Sequence, residues 1–154
     1  MDPENAPVGN APYPLAMVIC DLVWRDPGTG KSTLLGCFSA VVGPSFPLSV
    51  FSLGLYIALT DGRGKLPIRI RIIDADESRE AVLETEAEIE FADPRMIAEI
   101  CLNMPGLTFP EPGEYRCQVF AGHEFLMERR ILAVQVGNKP DAEGEDQGNE
   151  GIDR

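Results

Sequence analysis

The sequence predicts a single all-β domain, a sandwich of about seven to eight antiparallel strands. Three observations predict this class. Apolar residues alternate with polar residues along several segments. Turn signals rich in Gly, Pro and Asp separate these segments at intervals of roughly 8 to 14 residues. Helical spacing of apolar residues is confined to one short stretch, residues 93–104.

The clearest alternation is FSLGLYIAL at residues 51–59, where every odd position is large and apolar. A period of two is typical of a strand that buries one face in the core. We therefore expect the odd residues, from Phe51 through Leu59, to point inward.

The next two alternating segments carry opposite charges. Isoleucines alternate with Arg69 and Arg71 in residues 67–73, and apolar residues alternate with glutamates in residues 83–91. Antiparallel pairing would set the arginines among Glu84, Glu86 and Glu88 on the solvent face. Each opposite-charge pair there contributes about 0.2 to 1 kcal/mol. We interpret these arginines as structural rather than as an anion site.

Residues 26–36, DPGTGKSTLLG, contain a Gly-Lys-Ser sequence typical of phosphate-binding loops. Such a loop requires a glycine five residues before Gly30, where this chain has Arg25, and a helix after the lysine. The residues after Lys31 are rich in β-branched and small side chains. The stretch therefore predicts a β-hairpin closed by Asp-Pro-Gly-Thr-Gly, and P-loop nucleotide binding is disfavoured.

Two segments leave alternatives open. Residues 94–104 fit a short helix with Asp93 as N-cap, but a strand near 97–102 fits nearly as well. In the last strand, residues 125–136, two sets of apolar residues compete for the inward face. A bulge near Arg129 and Arg130 would let both sets point inward.

The run EPGEYRC at residues 111–117 resembles the D-x-G-x-Y-x-C run of immunoglobulin-like domains. The resemblance implies that Tyr115 is a corner tyrosine whose hydroxyl caps the loop, with Gly113 before it and Cys117 inward on the same face. The expected tryptophan after Cys37 is absent, so a disulfide-plus-tryptophan core is not expected.

A longer succession of motifs covers most of residues 15–136. It includes GKSTLLG at 30–36, GPSFP at 43–47, LTDGRG at 59–64 and GLTFPEPGEY at 106–115. These motifs resemble an uncharacterised bacterial family of short immunoglobulin-like β-sandwich proteins, a domain of unknown function. The resemblance implies a strand near 97–102 and the hairpin at Lys31, and it implies no catalytic residues.

Candidate chemistry is sparse. His123 is the only histidine and falls in a predicted turn. The sequence therefore argues against a histidine-based catalytic triad and against a metal site built from several histidines. Asp74 and Asp76 begin like a calcium loop but lack its later ligands, so a polar turn is the better interpretation. The four cysteines form no C-x-x-C pair, and we expect them to be free, small buried residues. We predict no catalytic, cofactor-binding or metal-binding residues and no enzyme activity.

The net charge of −12 is spread over three regions. Residues 137–154 hold six acids and two bases with one aliphatic residue, and we predict a disordered acidic tail there. Residues 1–14 are acidic and proline-rich, and we predict disorder there too. Residues 15–136 still carry −6, so binding to nucleic acid is not expected. With neither a signal sequence nor an apolar run of membrane-spanning length, a cytoplasmic location and no membrane partner are expected.

These features lead to two function hypotheses. The first is a non-catalytic binding module that contacts a protein partner, with self-association included, through loops or an exposed edge strand. The second is a small-ligand carrier or hydrolase with a pocket between the loops 43–47 and 106–112. A deep pocket with converging polar groups would favour the second, and a flat apolar patch or bare edge strand would favour the first.

Overall fold

The computed structural model describes residues 11–137, which form eleven strands and no helix. Eight of them are six residues or longer, in line with the predicted seven to eight, and the other three have two to four residues. The strands are β1 (Tyr13–Arg25), β2 (Ser32–Cys37), β3 (Ala40–Gly43), β4 (Leu48–Ser49), β5 (Ser52–Thr60), β6 (Gly64–Asp74), β7 (Leu83–Phe91), β8 (Ala98–Pro105), β9 (Thr108–Phe109), β10 (Gly113–Ala121) and β11 (Glu124–Gln135).

Two main sheets form the predicted immunoglobulin-like sandwich. The first sheet has the order β2-β1-β5-β8 and the second β3-β11-β10-β6-β7. Their inner faces supply a shared apolar core, because the alternating residues of each long strand point toward the other sheet. Its fully buried members include Ile19, Leu55 and Ile57 from the first sheet, and Ile70, Val119 and Ile131 from the second.

The charged strands pair as predicted. β6 and β7 are antiparallel, with Arg69 opposite Glu86 and Arg71 opposite Glu84. Arg69 lies 4.0 Å from a carboxylate oxygen of Glu84, and both guanidinium groups lie over the ring of Phe120, at 4.6 and 5.4 Å from its centre. The arginines are therefore occupied by structural contacts on the solvent face.

The Gly-Lys-Ser segment lies in the predicted β-hairpin. β1 and β2 pair from Arg25 opposite Ser32, and Gly30 N donates to Asp26 O at 2.8 Å across the turn. Gly30 has φ of 69°, a conformation that side chains with a Cβ atom rarely adopt. Lys31 leads into a strand rather than a helix, so its segment lacks the helix N-terminus that a phosphate-binding loop requires.

Both open alternatives are resolved. Residues 98–105 form strand β8, so the helix alternative is wrong. Asp93 does not begin a helix: its carboxylate accepts a hydrogen bond from Arg95 N and closes an isolated turn. In β11, Ile131 and Ala133 are buried. The register with β10 shifts at Leu126, so Leu126 and Met127 both pack against the core. The bulge thus lies three residues before the predicted position.

Phe51 departs from the predicted alternation. Leu53, Leu55, Ile57 and Leu59 are fully buried, but the Phe51 side chain is 96% exposed. The reason is that the preceding residues leave the sheet: β4 pairs with β9, and Val50 N donates to Leu107 O at 2.9 Å. The inward phase therefore starts only at β5, which begins at Ser52.

Tyr115 lies at the corner that leads into β10. Its hydroxyl donates to Glu111 O at 2.7 Å and accepts from Glu111 N at 3.2 Å. The side chains of Tyr115 and Cys117 are buried, and the tyrosine ring meets Phe109 edge-on at 5.0 Å. Gly113, the first residue of β10, has φ of 145°. The hydrogen bonds of the buried Tyr115 side chain to Glu111 fix the loop before β10 to the core.

The predicted domain limits differ slightly from the observed strands. β1 begins at Tyr13, two residues before the predicted start at residue 15. Most of the predicted N-terminal tail and nearly all of the tail at 137–154 lie outside the described residues. None of the described residues belongs to a helix long and apolar enough to cross a membrane.

We predict that Gly30→Val destabilises the fold while Lys31→Ala has almost no effect. A left-handed conformation costs an L-residue about 1 to 2 kcal/mol, and more when the side chain is β-branched. Lys31 is an exposed side chain at a strand start, where substitutions stay within about 0.5 kcal/mol. Urea unfolding of both variants measures the difference, and equal effects would contradict the hairpin assignment.

Candidate interaction surface

The β1–β2 hairpin bends over the outer face of the first sheet at Gly54. A Cβ atom on Gly54 would lie 2.9 Å from Cys20 Sγ, 3.1 Å from Val23 N and 3.2 Å from Asn103 Oδ1. These distances are shorter than ordinary van der Waals contact. Only glycine therefore allows β1 to cross β5 so closely.

Asn103 on β8 holds the crossing strand by its backbone. Val23 N donates to Asn103 Oδ1 at 2.9 Å, and Asn103 Nδ2 donates to Val23 O at 2.8 Å. The amide thus replaces the strand neighbour that β1 loses when it leaves β5. Because Val23 is buried, an unpaired N–H at this point would cost about 1 to 3 kcal/mol.

Four polar side chains fix the hairpin near its turn, and we call them the polar anchor: Arg25, Ser32, Tyr56 and Glu99. The Glu99 carboxylate accepts from Arg25 Nη2 at 2.7 Å, from Ser32 Oγ at 3.5 Å and from the Tyr56 hydroxyl. Arg25 also donates to Gly30 O at 3.1 Å. The anchor therefore links the turn to the sheet beneath it.

The environment of Tyr56 changes its acidity. Burial raises the pKa of the Tyr56 hydroxyl from 10.0 to about 12, and the hydrogen bond to Glu99 and its negative charge act in the same direction. Ionising Tyr56 would remove the proton that it donates and place two negative charges together. The polar anchor therefore requires a neutral tyrosine.

The opposite face of the hairpin presents apolar side chains to solvent. Leu22 and Leu35 are directly opposite each other in the β1–β2 pair, and Trp24 follows on the same face. The exposed fractions are 40% for Leu22, 50% for Leu35 and 50% for Trp24. We call these three residues the hairpin patch. Of these residue types, tryptophan is the one enriched among residues that dominate protein–protein binding.

A groove of about 470 Å³ borders the base of the hairpin. Its walls come from the end of the hairpin around Cys37, from edge strand β3 and from residues 48–52, and Phe51 stands at its rim. The loops 43–47 and 106–112 were expected to form a pocket, and neither of them lines this groove. Loop 106–112 instead contributes β9, which pairs with β4 and closes the end of the sandwich.

The remaining predicted residues lie apart from this surface. His123 is exposed in the turn between β10 and β11, and Asp74 Oδ2 accepts from the Ser78 hydroxyl at 2.7 Å in a local turn. Within residues 11–137, no three or more His, Cys, Asp or Glu side chains are grouped closely enough to hold a metal ion.

The cysteines differ in exposure. All four are free; Cys20 and Cys117 are buried, Cys101 is partly buried and Cys37 is exposed. The expectation of four buried residues is therefore wrong for Cys37, which lies in the last position of edge strand β2. Burial raises the pKa of the Cys117 thiol to about 12.

Sequence reasoning missed the hairpin patch, the close approach at Gly54 and the two hydrogen bonds between Asn103 and Val23. Residues 15–24 are apolar at both odd and even positions, so their pattern does not show which side chains are exposed. One signal was present in the run of apolar residues itself, because a two-stranded hairpin cannot bury both of its faces on its own.

A search of curated proteins finds no match to the chain. A family model described as "Family of unknown function (DUF6941)" matches residues 15–134. That match spans most of the chain and all the strands of the sandwich except the ends of β1 and β11.

Solved structures show distant similarity. An immunoglobulin-like protein from Pseudomonas aeruginosa is 16% identical, with a TM-score of 0.44, over 80% of this chain and 97% of that one. A β-glucosidase from Listeria innocua, in complex with isofagomine, is 13% identical with a TM-score of 0.39. This match covers 80% of the present chain and spans 17% of the glucosidase.

We predict that Tyr56 makes the fold sensitive to alkali. The pKa of Tyr56 is raised in the folded state, so its contribution to stability is fully present below the unfolded value of 10.0 and is lost as the pH rises toward 12. Urea unfolding from about pH 9 to about pH 11 should show a steeper loss of stability in the wild type than in Tyr56→Phe. Parallel curves for the two proteins would contradict the role of the polar anchor.

Proposed function

The chain belongs to this family of unknown function, and we propose that its sandwich is a non-catalytic module that binds another protein through the hairpin patch. The observation that carries the proposal is the position of Trp24. It is the only tryptophan of the chain, yet half of its side chain faces water on an anchored hairpin. Tryptophan, with tyrosine and arginine, is enriched among the residues that dominate protein–protein binding energy.

The anchoring of the hairpin supports this role. Asn103 and the polar anchor fix the backbone behind Trp24 by direct hydrogen bonds. A rigid surface loses less conformational entropy on binding, so more of the contact energy appears as affinity. The same apolar side chains on a loose loop would be a poorer binding site.

The charge of the chain indicates the chemistry of the partner. The net charge is −12, and residues 15–136 alone carry −6. A partner with an apolar centre and a rim of Lys and Arg would be attracted, whereas acidic surfaces and phosphate backbones would be repelled. We therefore propose a basic-rimmed protein partner, met in a reducing compartment such as the cytoplasm, in which the four free cysteines persist.

A ligand pocket is less well supported. The groove at the hairpin base has a volume within the range of small-molecule sites, about 300 to 1,000 Å³. However, its rim residue Phe51 is 96% exposed, so the groove is open to water along that side. We regard the groove as an extension of the protein-binding surface.

The proposal is tested by quantitative affinity capture from native cells with the immobilised full chain. The double variant Trp24→Lys and Leu35→Lys removes the apolar centre and adds charges that repel a basic rim. For at least one protein that the wild type retains, we expect the captured amount to be at least tenfold lower with this variant. The sole tryptophan should then shift its emission to shorter wavelength when the captured protein is added to wild type.

A matched control places lysine at Val134, which is also exposed but lies on the outer face of the second sheet. This variant should capture the same proteins as the wild type. Equal capture by wild type and the hairpin-patch variant, with both folded by their melting curves, would overturn the proposal. Sedimentation of the wild type alone tests whether the partner is a second copy of the chain. Dimers that form as the concentration rises would overturn the proposal of a basic-rimmed partner.

A further inference from the structure

Two cysteines face each other across the base of the hairpin. Cys20 on β1 is directly opposite Cys37 on β2, and Phe38 N donates to Ile19 O at 3.0 Å in the neighbouring pair. Directly opposite residues of an antiparallel pair have Cα atoms about 4.5 to 5.5 Å apart, depending on the kind of pair they form. That separation lies within the range of disulfides, about 4.4 to 6.8 Å.

The two thiols differ in access. Cys37 is exposed and lines the groove, whereas Cys20 is fully buried with its Sγ 3.7 Å from Gly54 O. Burial, and then the charge of the Cys37 thiolate, raise the pKa of Cys20. A reagent from solution therefore meets Cys37 first, and Cys20 stands behind it as the second thiol.

We propose that Cys20 and Cys37 form a reversible dithiol–disulfide site that reacts with low-molecular-weight disulfides such as oxidised glutathione. The Cys37 thiolate attacks one sulfur of glutathione disulfide, forms a mixed disulfide and releases one glutathione thiolate. Cys20 then loses its proton and attacks the Cys37 sulfur, and the second glutathione leaves as a thiolate that takes up a proton. Two electrons pass from the cysteines to the glutathione disulfide.

Closure of the disulfide requires one local movement. The Cys20 side chain must turn from Gly54 O toward Cys37, while the strands keep their register. The bond would then join β1 to β2 beside Leu22 and Leu35, and it would remove the free thiol of Cys37 from the groove. Oxidation state would thus alter the surface next to the hairpin patch.

The other cysteines serve as internal controls. Cys101 is opposite Tyr56 and lies 3.6 Å from Ser32 Oγ under the hairpin. Cys117 is opposite Ile72 and Arg129 in the second sheet. In the described ladders neither has a cysteine as its direct cross-strand neighbour, so both should stay reduced.

The test is peptide mapping of the folded full chain after equilibration with oxidised glutathione and alkylation of the remaining thiols. Trypsin cuts after Arg25 and Lys31, so Cys20 and Cys37 fall in separate peptides that only a disulfide can join. We expect the joined peptide as the main product, with Cys101 and Cys117 alkylated. The variant Cys101→Ser should give the same joined peptide.

In Cys20→Ser the joined peptide should disappear, and a stable glutathione adduct should accumulate on Cys37, at least tenfold above its level in wild type. Wild type that retains glutathione on Cys37 with Cys20 alkylated would overturn the proposal. A link from Cys37 to Cys101, or no reaction at Cys37, would also overturn it. These wild-type results do not depend on whether a variant folds.

Discussion

The close approach at Gly54 is the constraint on which the candidate surface depends. At this point β1 leaves its partner β5 and crosses the outer face of the first sheet, with Val23 N only 3.1 Å from where a Cβ atom would lie. The crossing brings the hairpin over β8, within reach of Asn103 and Glu99. Without it, β1 and β2 would extend beyond the sandwich as an isolated ribbon, which is marginally stable in water.

The hydrogen bonds under the hairpin and the apolar side chains above it are parts of one arrangement. The inner side of the hairpin buries Val23 and pairs its backbone with Asn103, while the polar anchor holds the turn. The outer side has no covering element in the described residues and presents Trp24. The fold thus leaves one of its largest apolar side chains half exposed on the surface, and this exposure is the basis of the proposed binding function.

Patterns that act over a few residues could be predicted from the sequence, and contacts between distant segments could not. The alternation at 67–73 and 83–91 predicts both strands, because the side-chain period is a local property. It also predicts that Arg69 and Arg71 pair with glutamates, because the two strands follow each other in the chain and carry opposite charges on one face. Phe51 was misplaced because β4 pairs with β9, a contact between segments about sixty residues apart. The two hydrogen bonds between Asn103 and Val23 join residues 80 positions apart and have no local signal.

The variant Gly54→Ala tests the central claim most directly, with Gly137→Ala as a matched control at a position where a Cβ atom meets nothing within 4 Å. The added methyl group must displace β1 and stretch its bonds to Asn103. Amide hydrogen exchange should therefore become about tenfold faster or more at Val23, since a broken buried hydrogen bond costs about 1 to 3 kcal/mol. Exchange in the core of the second sheet should not change. Unchanged protection of Val23 would contradict the account of the hairpin.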